Sequence, residues 1–321
     1  MPDSLPIDTR FQLGEQITPV QEAFFEEHGF LHFEGVLNVE EVRGIKDELS
    51  AVEAQWIEAG RTHVYGIPIF YGRRASGRPF VQRFAFTSLF SEGISTVVND
   101  VRFKALLPLV GEDARIGEAE KDGVVVNRYI NEKGSIYKRL GWHTDGLRDL
   151  FCLRMPKRML NVGLHLDEVG EEKGGLRLLP GTHLQGFFSM CFRKLYFLWH
   201  RRDPKEICVL TQPGDLTVHD GRLWHRVARA KMKGEESLRH SIYVPYLTGP
   251  VEPKGPESKT PGYHRLGGFL RWIKRPFVGF LLGVGLAGTA QSASNEAPKA
   301  LAEDALAGTF ALRVEVSHVV K

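Results

Sequence analysis

"PGDLTVHDGRLWHRVARA", residues 213 to 230, decides how this chain is read. Two apolar runs flank a turn at Asp220 and Gly221, the pattern of two short strands meeting at a reversal. Strand side chains alternate between faces, so Leu223, His225 and Val227 share one face and the His225 imidazole points inward among apolar neighbours. A single buried histidine is more often structural than ligating, because ordinary hydrogen bonds satisfy its ring. Its meaning depends on what else the fold brings to it.

Working outward, the same short-strand texture continues in both directions. Runs rich in valine, phenylalanine and tyrosine, divided by glycine, asparagine and aspartate, give candidate strands "HVYGIPIFYG", "FVQRFAF", "GVVVNRYI", "MLNVGLHLD", "GLRLLPG", "ICVLTQPGDLTVHD", "LWHRVARA" and "RHSIYVPYL". Ahead of them the chain reads as helical. Thr18, Pro19 and Gln21 form a helix start with a capping box, Gly29 a stop, and Asn38 with Glu41 a second capping box before "VEEVRGIKDELSAVEAQWIEAG". Helices followed by about eight strands predict a mainly β fold, a double-sheet barrel with helices packed outside.

Composition narrows the function classes. With 42% hydrophobic residues over 321, the chain can build a substantial core, and a formal charge of +3 with no nucleic-acid signature argues against a nucleic-acid partner. Three widely spaced cysteines, Cys152, Cys191 and Cys208, fit neither a disulfide framework nor a zinc cluster, and the first residues lack a secretory signal. The expectation is a cytoplasmic protein.

Upstream of His225, "LGWHTDGLRDL" at 140 to 150 sets His143 and Asp145 in H-x-D spacing. Such a pair at a strand end, with a distant second histidine, can occupy one face of an octahedral ferrous ion and leave the other open. Alternation favours His225 as the third ligand, with His219 supporting the turn or serving in its place. His165 and Asp167 in "GLHLDEV" repeat the spacing, but Asp167 opens an acidic loop and reads as a turn former. Arg239, on the next candidate strand, can return to the same cavity, where a guanidinium grips a carboxylate at two points. Read without that cavity, it is a strand-surface arginine.

In their order, "FFEEHGFLHFEGVL", "VVNRYI" before "GWHTDG", "GGLRLLPGTH", and "PGDLTVHDGRLWHRV" followed by "RHSIYVPYL" resemble the phytanoyl-CoA dioxygenase family of iron(II)- and 2-oxoglutarate-dependent oxygenases. The resemblance spans roughly residues 18 to 248. It implies a double-stranded β-helix (jelly-roll, cupin-like) core, Fe(II), 2-oxoglutarate and O2 as cofactor and cosubstrates, and a small-molecule substrate. It also implies that His143, Asp145 and His225 hold iron, that Arg239 holds the distal carboxylate of 2-oxoglutarate, and that Asn127 and Asn161 help bind the cosubstrate. The family's arginine commonly follows the distal histidine more closely, so "AKMKGEES" is read as a longer hairpin, with Arg229 as the substitute anchor. Related halogenases replace the carboxylate with a small residue; an intact Asp145 implies oxygenation.

Tyr71, Phe84 and Phe86 are candidates for an apolar substrate cavity, and Arg83, with Arg73, Arg74 and Arg78, for an anionic group on the substrate. Core packing and a solvated basic face explain the same residues equally well. The expected product is a hydroxylated hydrophobic or lipid-like molecule. Residues 1–250 are expected to form the oxygenase domain, with an aromatic insertion at 186–203 read as an amphipathic helix carrying Phe188, Phe192, Tyr196 and Trp199 on one face. Residues 251–321 form a C-terminal extension whose apolar stretch, 277–288, is short for a bilayer span and suits peripheral membrane contact. Two other readings stand beside the oxygenase: a membrane-associated binding barrel without turnover, and a metal-dependent barrel enzyme that does not use 2-oxoglutarate.

Overall fold

The computed structural model describes residues 5–262 and His264. Both helix starts read from the sequence are present. Thr18 and Gln21 close a capping box at α1 (Pro19–His28), and Gly29, at φ 78°, ends it. Asn38 and Glu41 do the same for α2 (Val39–Glu58). The remaining helices are α3 (Glu92–Asn99), α4 (Val101–Lys104), α5 (Leu147–Phe151) and α6 (Phe187–Phe192). The strands are β1 (Phe30–Phe33), β2 (His63–Val64), β3 (Ile67–Pro68), β4 (Phe70–Arg73), β5 (Pro79–Phe84), β6 (Arg115–Ile116) and β7 (Val125–Tyr129). They continue with β8 (Leu140–His143), β9 (Leu160–His165), β10 (Gly175–Leu178), β11 (Ile207–Cys208), β12 (Leu216–Asp220), β13 (His225–Ala228) and β14 (Arg239–Leu247).

The major sheet runs β1-β12-β9-β14-β7-β5-β4, with β6 added to β14, and a smaller sheet runs β11-β10-β13-β8. The fold is mainly β, a double-stranded β-helix with helices on the outside. Its register explains how one sheet serves two purposes. Ser241 lies opposite both His165 and Asn127, and Asn127 opposite Arg83, so these polar side chains share the inner face. The intervening positions, including Val162, Leu164, Ile242, Val244 and Phe84, form one apolar core with Val42, Ile45, Leu49, Val52 and Trp56 of α2. Burying each such side chain is worth about 1.5–3 kcal/mol. On the major sheet, apolar packing is therefore concentrated on the outer face, and polar side chains enter the barrel from the inner one, where they meet apolar residues such as Leu176 and Val209.

Three features differ from the sequence reading. Helices α3 and α4 fall where no element was expected, and β8 is a four-residue strand too short to show a period. The expected helix over 186–203 stops at Phe192, because the segment after it turns back along β8. There the Phe197 N–H donates to the Trp142 carbonyl at 2.8 Å and the Trp142 N–H to the Trp199 carbonyl at 2.9 Å. The four aromatics consequently do not share a face: Tyr196 packs on the buried Trp224, while Phe188 and Phe192 are exposed.

Packing of the barrel continues past residue 250. Arg115 donates to the carbonyls of Gly249 and Pro250, and Lys254 N–H to that of Ala119. The apolar stretch 277–288 lies outside the described residues, among which no helix is long and apolar enough to cross a membrane.

Candidate metal centre

His143 ends β8, His225 begins β13, and the two stand opposite each other in register on the inner face of the smaller sheet. Their rings are 4.1 Å apart. Asp145 lies two residues beyond the strand's end, and its N–H donates to the Gly221 carbonyl at 2.7 Å, which ties the H-x-D loop to the turn before β13. His143 Nε2 lies 3.9 Å and His225 Nε2 3.8 Å from Asp145 Oδ1. One donor atom from each of the three side chains falls within 4.8 Å of the others.

Tautomer logic makes this a usable donor set. His143 Nδ1 lies 2.8 Å from the Gly141 carbonyl and His225 Nδ1 2.9 Å from the Leu223 carbonyl. A carbonyl only accepts, so each Nδ1 carries the proton and each Nε2 presents a lone pair to the shared space. Burial and the neighbouring His225 hold His143 well below the ordinary histidine pKa, which keeps it neutral. Two neutral imidazoles and one carboxylate suit a divalent iron, and a three-ligand face leaves positions for exchangeable ligands.

Asp145 is held on its other oxygen as well. Asn161 Nδ2 donates to Oδ2 at 3.3 Å, and His219 Nε2 stands 4.0 Å from the same atom. His219 is buried with neither ring nitrogen hydrogen-bonded, and burial with His225 nearby pushes it down to about 3. The rival pair does not converge. His165 bonds Thr217 Oγ1 at 2.9 Å, whereas Asp167, beyond the end of β9, is engaged by Lys46 and by the N–H and ring of His240.

Arg239 lies deep in the barrel, 2% exposed, and donates to the carbonyls of Lys173 and Ala228. Its guanidinium lies over the Tyr129 ring at 5.0 Å. Among the described residues no carboxylate pairs with it, and burial lowers it to about 10. It lines a narrow cavity with Tyr129, His165, Thr211, Ser241 and Tyr243 on the polar side and Val169, Leu176, Val209 and Val227 on the apolar side. Burial pushes Tyr243 up to about 12 and raises Tyr129 further, so both hydroxyls keep their protons. A buried cation beside protonated hydroxyls is a site for an anion.

Other expected residues fall elsewhere. Arg229 lies beyond the end of β13, is exposed and bonds Asn131, while the excursion to β14 is taken up by a short 3-10 turn at Gly234–Ser237. Asn127 is on the inner face between Arg83 and Ser241 in register, but neither it nor Asn161 lines the Arg239 cavity. Phe84 packs against Trp56 in the outer core, Phe86 is buried beside Tyr65, and the Tyr71 hydroxyl donates to the Arg61 carbonyl. All three are engaged in packing of the apolar core, and none lines the Arg239 cavity. Arg83 remains inside. One amino group binds Asp122, and Nη1 is buried without a hydrogen-bond partner.

Missed by sequence reasoning were Ser241 and Tyr243, which lie two and four residues after Arg239 and so share its strand face, the signal that finds them, and Phe197. The Phe197 ring stacks on His143 at 4.9 Å from a left-handed backbone at φ 60°, a conformation that costs energy outside glycine.

A jelly-roll barrel that gathers two histidines and a carboxylate, with a buried arginine in its interior, is the build of a mononuclear non-haem iron oxygenase. The sequence model of the family described as "Phytanoyl-CoA dioxygenase (PhyH)" matches residues 25–231, and the chain belongs to that family of iron(II)- and 2-oxoglutarate-dependent oxygenases. No curated protein sequence matches it. Among solved structures it is similar to AviO1 from Streptomyces viridochromogenes Tue57, with 17% identity, 72% of this chain and 95% of that chain covered, and a TM-score of 0.51. It is also similar to EctD from S. alaskensis, solved with bound Fe (16% identity, 75% and 80% covered, TM-score 0.54). A third is the epimerase SnoN, in complex with Fe3+, alpha ketoglutarate and nogalamycin RO (17% identity, 73% and 84% covered, TM-score 0.50). At these identities the likenesses concern the fold.

Proposed function

We propose that His143, Asp145 and His225 hold the iron of this dioxygenase, that Arg239 anchors 2-oxoglutarate, and that the reaction hydroxylates an unactivated C–H bond of a hydrophobic small molecule. The observation that carries the reading is the convergence of two Nε2 lone pairs and one carboxylate oxygen, with both Nδ1 atoms tied to backbone carbonyls. Iron and 2-oxoglutarate together supply the oxidising power: one dioxygen atom enters the product alcohol, the other enters succinate, and carbon dioxide leaves.

The chain's own residues bind, orient and exclude water. Gly141 and Leu223 carbonyls fix the two imidazole planes, and Asn161 fixes the carboxylate. Arg239 offers a fixed cation to the distal carboxylate, and the Tyr129 and Tyr243 hydroxyls are protonated donors beside it. Arg83 Nη1, lacking a partner, suits an anionic group on the substrate. Phe197 covers one side of His143 and limits water there.

The test is succinate formation with ferrous iron and 2-oxoglutarate, alongside titration of the anaerobic iron complex with 2-oxoglutarate. His143→Ala is expected to abolish iron binding and succinate together. Arg239→Met is expected to leave iron binding intact and to weaken 2-oxoglutarate binding at least about thirtyfold, in line with the loss of one partner of a buried charge pair. A parent protein that binds no iron and forms no succinate with a broad substrate panel overturns the iron assignment. Succinate formation and 2-oxoglutarate affinity indifferent to Arg239→Met would instead overturn only the assignment of Arg239 as the cosubstrate's anchor.

A further inference from the structure

Two segments leave the rim of the metal group with apolar side chains turned to solvent. After Asp145 the chain runs through α5 to Phe151 and Leu153, 76% and 82% exposed. On the other side, where Phe197 stacks on His143, the preceding helix α6 exposes Phe188 at 75% and Phe192 at 79%, one helical turn apart, and Leu184 and Leu198 flank them in the open. Soluble monomers rarely leave such side chains clustered in water, and the cost of doing so points to something that covers them.

Charge decides what that is. Residues 151–159 and 184–202 contain three and four Lys or Arg respectively and no Asp or Glu. Asp149 within α5 is the rim's one acid, Lys194 is paired with Asp203 and Arg158 with Glu26, and the remaining bases carry the rim's charge. Arg154, Arg193, Arg201 and Arg202 are exposed. A second copy of the chain seated on this rim would bring like charges together. Aromatic and leucine side chains interleaved with bases match instead the boundary of an anionic bilayer, where the apolar groups enter the acyl region and the bases meet the headgroups.

We propose that the rim formed by α5, α6 and the segment 193–202 docks peripherally on an anionic phospholipid surface, placing the mouth of the metal site against the bilayer. The proposal gives a hydrophobic substrate a route that avoids water, and so rests in part on the substrate class proposed above. Binding itself needs no iron.

The experiment is sedimentation of the full chain with vesicles of phosphatidylcholine alone and of phosphatidylcholine mixed with phosphatidylserine, at low and high salt. The parent is expected to sediment with the mixed vesicles, more weakly with neutral ones, and to be released by salt. Phe188→Ser with Phe192→Ser, and separately Arg201→Glu with Arg202→Glu, are expected to weaken that binding about tenfold or more. Circular dichroism melts and succinate formation in vesicle-free solution verify that the variants fold and that their site is intact.

Absence of vesicle binding by the parent overturns the proposal. So does binding that both pairs of substitutions leave unchanged, which would locate it elsewhere, the stretch 277–288 included. Self-association that the phenylalanine pair abolishes would identify a second copy as the occupant. Succinate formation is read without vesicles, so none of these outcomes bears on the iron assignment.

Discussion

Asp145 has one oxygen facing the two histidines and the other facing Asn161, and that division is the most consequential detail at the scale of single residues. With that amide on Oδ2, a metal held by the triad as proposed would find Oδ1 as the free oxygen. Asn161→Ala should weaken iron binding about tenfold to a hundredfold, measured by competition with a metal indicator, while the 2-oxoglutarate affinity of the loaded protein changes little. The family resemblance implied a cosubstrate contact for this residue; in the structure its amide faces Asp145 Oδ2. His165 gives a prediction in pH. Burial, the largest effect, and the nearby His32 bring it down to about 4, against an unfolded value of about 6.5. The unfolded chain binds the extra proton between those values, so the stability from keeping His165 neutral is full above pH ~6.5 and is lost as pH falls towards 4. Melting of the metal-free chain across that window should show the decline, and His165→Gln should make it shallower, the buried His143 and His219 supplying the remainder.

Among elements, β8 has the least sequence signal and the most to position. It is four residues long, contains a glycine, and supplies His143 at its end. Its recognition rests on the H-x-D spacing and on the strand opposite, since Leu223, His225 and Val227 show the alternation that β8 is too short to display. A Cβ on Gly141 would lie 2.4 Å from the Phe197 carbonyl oxygen, so the glycine is there to let the 196–200 segment approach. Gly141→Ala should cost about 1–3 kcal/mol by displacing backbone that has no slack. Because the Gly141 carbonyl also accepts from His143 Nδ1, iron affinity should fall with the melting temperature. A variant with parental stability and parental iron affinity would show that this close approach is not required. The insertion shows the opposite limit of sequence reading: aromatic spacing suggested one long helix, but backbone pairing with Trp142 is a long-range contact that no local period encodes.

Across the whole molecule, strand patterning made the barrel legible, and it did so better than it located the substrate cavity. Inner and outer faces alternate along every strand of the major sheet, but which aromatic faces which way depends on register and bulges, and β4 carries an irregularity between Phe70 and Tyr71. Phe84 therefore reads equally as pocket or core until its neighbour across the sheet is known. Once Asn127 is seen opposite both Arg83 and Ser241, Phe84 must point to the helices. This two-sided design predicts that substitutions on opposite faces of neighbouring strands separate stability from binding. Leu164→Ala empties a site in the outer core and should cost about 2–5 kcal/mol in denaturant unfolding, while the folded protein keeps its 2-oxoglutarate affinity. Ser241→Ala, in the Arg239 cavity, should shift stability by less than about 1 kcal/mol and weaken 2-oxoglutarate binding severalfold. If Leu164→Ala loosened the cosubstrate as much as it loosened the fold, the two faces would be mechanically coupled, and the inner face could not be regarded as a polar site mounted on an independent apolar scaffold.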